Sequence, residues 1–334
     1  MGDFHMFKSA LGLAAIVAAV VGSNAWAADL PVKAPKPAPP PPPFFIVNQN
    51  SVSYSYVFNG TNPGAGTTPK HVLNYTHFDV WAYGTNFFTV DWLKATNAAA
   101  PPNGTPAAPC DRGGAFNPAG QSADRCAGYT EIYGLFRSTF GWNQIFNTKT
   151  FSAGPLTNIE FAVGADLNAD NTTLGSAKRS IQGGLQFDFA APYHGFLNVG
   201  VFAYHEWQND GFSALFGPNF SGKVDFDTTW AIEALYVQPL GFLPEYLPVT
   251  FKSLAVIHGP KGAGEIGVPQ RITEYLTQQT LSLDVGKMFT GKSDMVSVWV
   301  AYRWWKNKFG LNPATTGFVG TLESTAVTGV TFAF

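Results

Sequence analysis

The feature that most constrains this chain is an alternation of apolar and polar residues that runs, with interruptions, from Asn50 to Phe334. In its clearest stretch, residues 159–166, isoleucine, phenylalanine, valine and alanine occupy the odd positions, whereas glutamate, glycine and aspartate occupy three of the even ones. Side chains of a β-strand point alternately to the two faces of a sheet. The period therefore predicts strands that have one apolar face and one polar face.

Composition indicates which way the apolar face points. Only 13% of the 334 residues are charged while 46% are hydrophobic, and soluble domains carry roughly 25% charged residues. A water-soluble sandwich buries its apolar face, whereas a barrel in a membrane turns that face toward lipid. After residue 27 no apolar stretch reaches the length of about 20 residues that a membrane-spanning helix needs. The sequence thus predicts an all-β protein, a transmembrane antiparallel up-and-down β-barrel.

Twelve segments show the alternation and are predicted to be the barrel strands: 52–58, 72–81, 87–92, 129–140, 159–166, 181–189, 197–207, 224–236, 249–257, 281–285, 296–304 and 326–334. The connections 59–70, 95–127, 167–178, 208–223, 259–273 and 306–323 are long and polar, and shorter ones lie between them. Outer-membrane barrels alternate short periplasmic turns with longer outside loops. This order predicts an even number of strands with both termini in the periplasm.

The N-terminal region indicates the compartment. Lys8 precedes an apolar run, and Ala25-Trp26-Ala27 has the form of a signal-peptide cleavage site. We expect residues 1–27 to be a signal peptide, residues 28–48 a proline-rich periplasmic spacer, and residues 49–334 the barrel. The run PVKAPKPAPPPPPFF favours polyproline II or disorder. A docking role toward a periplasmic partner or the cell wall is the alternative to a plain spacer.

The chain has two cysteines, Cys110 and Cys126, both in the predicted connection 95–127. In an oxidising compartment they can pair, and a disulfide closing a loop of this size contributes roughly 3 kcal/mol. The alternative is two unpaired cysteines.

The last seven residues, TGVTFAF, alternate and end on Phe334. They resemble the terminal-strand signal that outer-membrane barrels present to the barrel assembly machinery, although Val327 lies where a polar residue is usual. The resemblance implies a location in the bacterial outer membrane, in contact with its lipid. A strand that merely ends at the chain end is the alternative.

No motif predicts catalysis, a metal or a cofactor, and the protein is expected not to be an enzyme. Residues 286–293 match the phosphate-binding pattern G-x-x-x-x-G-K-S, but that loop needs a strand before it and a helix after it, and a strand is predicted to follow. His71 and His77 share one face of a strand without a third ligand. The formal net charge of −2 argues against nucleic acid as a partner.

Most of the charged residues of the predicted strands fall on the alternate positions that are predicted to face the lumen. These positions comprise Asp79, Asp91, Glu131, Arg137, Glu160, Asp166, Asp188, Glu206, Asp225, Asp227, Glu233, Asp284 and Arg303, with Phe202, Tyr204, Trp299 and Trp305. The excess of carboxylates disfavours an anion pore. Aromatic faces beside carboxylates suit a neutral, flat, polyhydroxylated solute, but narrow barrels also fill their interiors with side chains for structural reasons. The residues alone leave both interpretations open.

Two blocks resemble the nucleoside-specific channel-forming Tsx family. Residues 78–92 (FDVWAYGTNFFTVDW) are similar to its second and third strands, and residues 183–188 (GGLQFD) with 201–211 (VFAYHEWQNDG) are similar to its central hairpin. Residues 129–133 resemble its fourth strand. The connection 95–127 and the proline spacer depart from the family, and residues 28–31 with the spacer are similar to alphaproteobacterial outer-membrane precursors.

The resemblance implies a twelve-stranded monomeric barrel whose narrow lumen binds nucleosides through aromatic and ionisable residues. The candidate substrate-binding residues that it implies are Asp79, Asp91, Glu131, Asp188, Tyr204 and Glu206.

Three functions are consistent with the sequence. The first is a passive channel for nucleosides or similar small solutes. The second is a structural or surface-interaction barrel with a closed lumen, whose connection 95–127 contacts a partner. The third is a barrel lipase, for which no convincing serine, histidine and acid trio is present.

Overall fold

The computed structural model describes residues 44–63, 66–95, 130–170, 177–209, 222–263, 270–316 and 320–334. The predicted signal peptide, nearly all of the proline-rich spacer and both cysteines lie outside the described residues.

The fold is built from antiparallel strands, as the alternation predicts. They are β1 (Phe45–Asn62), β2 (Gly66–Trp81), β3 (Gly84–Ala95), β4 (Thr130–Gly141), β5 (Leu156–Asp170), β6 (Arg179–Ala191), β7 (Gly195–Asn209), β8 (Lys223–Asp225), β9 (Thr229–Pro239), β10 (Val249–His258), β11 (Glu274–Asp284), β12 (Val296–Lys306) and β13 (Leu322–Ala333). Each of the twelve predicted segments overlaps a strand. The segment 224–236 is divided by a short break into β8 and β9, and β1 begins at Phe45, ahead of the residue 49 at which we expected the barrel to start.

The sheet closes on itself. Neighbouring strands pair in chain order, β1 pairs with β13, and β7 pairs with both β6 and β9. The three-residue β8 pairs only with the end of β7, which leaves a ring of twelve strands. Closure gives every wall strand two hydrogen-bonded neighbours, so no long edge is exposed.

The barrel has two unlike ends. At the termini end, where β1 begins and β13 finishes, the connections include α1 (Trp142–Ile145), a 3₁₀ turn (Pro192–His194) and α2 (Val285–Thr290). The loop end carries the longer connections, including a 3₁₀ turn (Lys308–Gly310) and α3 (Pro313–Thr316). The predicted long connection 59–70 is wrong, because β1 and β2 extend through most of it as a hairpin.

In the part of the chain that the structure describes, no helix is long and apolar enough to cross a membrane. The helices are short connectors between strands.

The phosphate-loop pattern adopts a geometry that is unsuited to phosphate binding. Asp284 caps α2 by accepting a hydrogen bond from the Lys287 amide at 2.8 Å, and Gly291 ends the helix with a left-handed φ of 73°. Lys292 and Ser293 then lead into β12, so the helix precedes the Gly-Lys-Ser triplet instead of following it. This agrees with the rejection of the motif.

The two faces of the wall differ as predicted for β5, β6 and β7. Outward residues such as Phe161, Leu167 and Ile181 are exposed, whereas inward Glu160 and Asp166 are buried. The outer surface therefore presents apolar side chains and the lumen holds polar ones, the inverse of a water-soluble barrel.

Candidate functional site in the lumen

The lumen is hollow toward the termini end. Phe196, Leu235 and Leu254 all lie on the inward face, because Asn198 pairs with Leu235 and Leu235 pairs with Leu254 in register. Their exposed fractions are nevertheless 37%, 38% and 38%. Large apolar side chains that point inward and still contact solvent show that this part of the lumen is an open vestibule.

Toward the loop end the lumen contains buried charge. Glu206 is 1% exposed; it accepts a hydrogen bond from the Tyr204 hydroxyl at 2.5 Å and another from the Gln208 amide. Lys261, from the connection after β10, places its Nζ 2.6 Å from Glu206 Oε2, and Lys178 lies at 3.9 Å. Burial lowers the pKa of the Lys261 ammonium, and the nearby carboxylate opposes that shift.

A second loop lysine is buried in the same way. Lys308, from the connection after β12, lies 2.9 Å from Glu323 Oε2 and donates to the Thr61 carbonyl at 2.7 Å. Its ammonium is 4.2 Å from the Trp305 ring centroid, and Arg303 approaches the other Glu323 oxygen at 3.7 Å. Two loop lysines are thus paired with two wall glutamates at the loop end.

An ion pair crosses the lumen between the vestibule and the buried lysine pairs of the loop end. Arg137 on β4 donates to both carboxylate oxygens of Glu233 on β9, at 2.5 and 2.9 Å, and to Asp166 at 2.7 Å. Because β5, β6 and β7 separate β4 from β9 in the ring, this pair spans the interior and separates off one arc of the wall. Gly164 provides the room, since a Cβ there would lie 2.6 Å from Arg137 Cδ.

The opposite arc carries an apolar patch on its inward face. Val57, Val72, Ala301 and Val327 are buried together, with Trp299 packed against them. Val327, which stands at a position usually polar in terminal strands, is part of this patch, so its apolar character has a structural reason.

Five of the six predicted substrate-binding residues face the lumen. Asp91 accepts a hydrogen bond from Asn74 at 2.6 Å, Glu131 accepts one from Asn168 at 2.5 Å, and Asp188 accepts one from Gln186 at 2.8 Å. Tyr204 and Glu206 bond to each other as described. The structure does not gather these five residues into one pocket, and each already has a partner within the wall.

Asp79 lies on the outer face, which corrects its predicted placement in the lumen. Asp79 pairs in register with Asn86, and it shares the face of β2 that exposes Leu73 and Tyr75. Its carboxylate contacts His77 at 3.1 Å and Asn86 at 2.9 Å. Hydrogen bonding on the outer face therefore explains why polar residues occur in both parities of β2.

Asp225 is a second correction of the same kind. It pairs with outward-facing Trp207, its side chain is 70% exposed, and it contacts His205 at 3.0 Å. Among the described residues no group of three or more histidines, cysteines or carboxylates could hold a metal ion.

Four lumen residues stand out in the structure but not in the sequence: Gln182, His258, Lys261 and Lys308. A lysine in a polar connection is usually solvated, so nothing in the sequence marked the last two as buried. Gln182 lies in the predicted strand 181–189, but its surroundings depend on side chains from other strands.

Neither a protein-family model nor a curated protein matches the sequence. Among solved structures, a bacterial polysaccharide outer membrane secretin is similar at 11% identity, with a TM-score of 0.34, over 86% of this chain and 98% of that one. Acinetobacter baumannii OccAB1 gives 10% identity and a TM-score of 0.28 over 86% of this chain and 95% of that one. Pseudomonas aeruginosa OccK5 gives 9% identity and a TM-score of 0.27 over 87% of this chain and 99% of that one. Similarity this low does not establish a family, so the barrel assignment depends on the strand pairing described above.

Proposed function

We propose that this protein is an outer-membrane channel for the passive uptake of small polar solutes, with nucleosides as the leading candidates. The observation that carries the proposal is the open vestibule around Phe196, Leu235 and Leu254, enclosed by a twelve-stranded wall whose outer surface is apolar. A barrel that served only as a scaffold would gain stability by filling this space with side chains.

The orientation follows from the two ends of the barrel. Short periplasmic turns and longer external loops are the rule for such barrels, so the termini end is assigned to the periplasm and the loop end to the outside. A solute would then enter past the buried lysine pairs, pass the Arg137–Glu233 bridge and reach the vestibule. The narrow, polar first part would select the solute and the wide second part would release it.

Nucleosides are favoured by the resemblance of residues 78–92, and of residues 183–188 with 201–211, to the Tsx family. The lumen adds a chemical reason, because its carboxylates and amides suit hydroxyl and amide groups, and its charges are balanced by internal pairs. Net attraction for an anion such as a phosphate ester is not expected.

The test is single-channel current through the purified mature protein in a planar bilayer, at fixed salt, with thymidine and adenosine titrated against a sugar. Small unit conductance with saturable block by the nucleosides supports the proposal. Conductance that no solute blocks would leave a general pore. Absence of conductance would overturn the proposal and favour the closed structural barrel, a function that the buried lysine pairs at the loop end also suit.

A further inference from the structure

A buried amide lies in the wall of the lumen. Gln182 on β6 is 6% exposed and faces inward, between Gly164 on β5 and Tyr204 on β7. Within the described residues neither its Nε2 nor its Oε1 has a hydrogen-bond partner. Among the described residues, Gln182 is the only one that has both a buried donor atom and a buried acceptor atom without a hydrogen-bond partner.

A second unpartnered group adjoins the same tyrosine. The His258 ring stacks on Tyr204, with a centroid distance of 4.2 Å and an interplanar angle of 17°. Its Nδ1 lies 3.4 Å from Glu274 Oε2, while its Nε2 is buried without a hydrogen-bond partner among the described residues. Gln182 and His258 thus present unused hydrogen-bonding atoms on two sides of Tyr204.

The charged groups nearby are occupied. Arg137, whose side chain lies over Gly164 beside Gln182, is bonded to Glu233 and Asp166. Glu206, two positions along β7 from Tyr204, is bonded to Tyr204 and Lys261. A charged solute would have to break one of these buried pairs, which leaves a charge without its partner and is strongly unfavourable.

Buried polar groups are nearly always hydrogen-bonded, and an unpaired one needs an explanation such as a water molecule or a ligand. A carboxamide holds a donor and an acceptor side by side, and it pairs in a two-bond arrangement with any group that offers the same, such as the edge of a nucleobase. Hydroxyl groups of a sugar lack this fixed geometry.

We propose that Gln182 and His258 form a binding site for uncharged solutes that carry an amide-like donor and acceptor pair, such as nucleobases and cyclic amides. This rests on the proposed channel function and deepens it by naming the recognised group. It also identifies Gln182 and His258 as the residues that offer hydrogen bonds to the solute, because the Tyr204 hydroxyl and the Glu206 carboxylate are already bonded to each other.

The test compares two variants of one strand. Gln182→Met keeps the size of the side chain and removes its polar atoms. Gln186→Met is the matched control, because Gln186 also faces inward but its amide already donates to Asp188 at 2.8 Å. Block of single-channel current is measured with uridine, with uridine monophosphate and with glucose, in parallel with thermal unfolding.

We expect uridine to block the wild type more strongly than the other two solutes. Gln182→Met should weaken that block about tenfold, because two hydrogen bonds are lost, without lowering the unfolding temperature. Gln186→Met should leave the block unchanged. His258→Phe preserves the ring stack and should weaken the block by a smaller factor, which provides a second variant if Gln182→Met does not fold.

Several outcomes would overturn the inference alone: a conducting wild type that uridine does not block, unchanged block in Gln182→Met and in His258→Phe, equal loss in Gln186→Met, or stronger block by the monophosphate. Absence of conductance in the wild type would instead overturn the channel function itself.

Discussion

The two ends of the lumen differ in how the space inside the wall is used. Toward the loop end, from Phe202 onward along β7, inward side chains are buried and charges are paired, with Glu206 and Lys261 at 1% and 2% exposure. Toward the termini end, Phe196 on the same strand and the same face is 37% exposed. The loop end is packed like a protein interior, whereas inward side chains of the termini end remain in contact with solvent.

Because the two ends differ, one wall can provide both a stable core and a passage. Packing and ion pairing need side chains from opposite strands to meet, which closes the lumen, whereas a vestibule needs them to stop short of one another. Separating the two along the barrel axis allows the packed end to set selectivity while the hollow end stays wide. Substitutions in the packed part should therefore affect stability far more than the same substitutions in the vestibule.

Phe202 and Phe196 provide the strongest test. Phe202→Ala removes a 5% exposed side chain that packs against Ala162 and Ala231, and we expect it to lower the free energy of unfolding by about 4 kcal/mol. Phe196→Ala should cost less than about 1 kcal/mol, because solvent already contacts that ring. Urea unfolding of both variants in the same lipid decides between them, and equal costs would contradict the division of the lumen.

The second test asks whether the loop-end charges are structural. Lys261→Met leaves Glu206 buried without its nearest cation, and we expect a loss of about 3 kcal/mol, at the lower end of the range for broken buried pairs because Lys178 remains 3.9 Å away. Lys292→Met, the same change at an exposed lysine of the termini end, should have no measurable effect on urea unfolding.

A double variant separates the ion pair from the fold around it. Glu206→Gln combined with Lys261→Met removes both charges, and we expect it to recover most of the stability that Lys261→Met loses. A double variant no more stable than the single one would show that the lysine acts through packing and not through its charge.

Much of the fold could be predicted from the sequence, because a period of two is a local property. In β5 and β6 the inward face carries polar residues such as Glu160 and Gln182, and the apolar face points outward as predicted. In β7 the inward face also carries Phe196 and Phe202. In β2 both parities mix polar and apolar residues, so the period could not decide the face of Asp79. Only its register with Asn86 places it outside.

The candidate site was less predictable because its contacts cross the lumen. The Arg137–Glu233 pair joins strands that are far apart in the chain, and Lys261 reaches Glu206 from a connection that sequence alone would leave in solvent. These long-range contacts decide which buried groups have a partner. The sequence alone could therefore not show that Gln182 lacks one.

Gly164 tests the cross-lumen bridge with a smaller change. The added methyl group of Gly164→Ala would lie 2.6 Å from Arg137 Cδ and 2.8 Å from Nη1, so the Arg137 side chain must shift, which disturbs its bonds to Glu233. We expect a loss of about 1–2 kcal/mol in unfolding free energy and a higher unit conductance. Gly134→Ala is the control, since no atom lies within 4 Å of its added Cβ, and it should stabilise the strand by about 0.5 kcal/mol. The same sign for both variants would contradict the bridge.

The smallest effect is expected on the outer face, where an ion pair has neither burial nor a role in dividing the lumen. His205 and Asp225 contact at 3.0 Å, nearly as closely as Lys308 and Glu323 at 2.9 Å, but the aspartate side chain is 70% exposed. Water and salt screen such a pair, so Asp225→Asn should change the free energy of unfolding by less than about 1 kcal/mol and leave single-channel conductance unchanged. A loss comparable to that of Lys261→Met would mean that distance between charges, and not their burial in the packed end, governs the stability of this barrel.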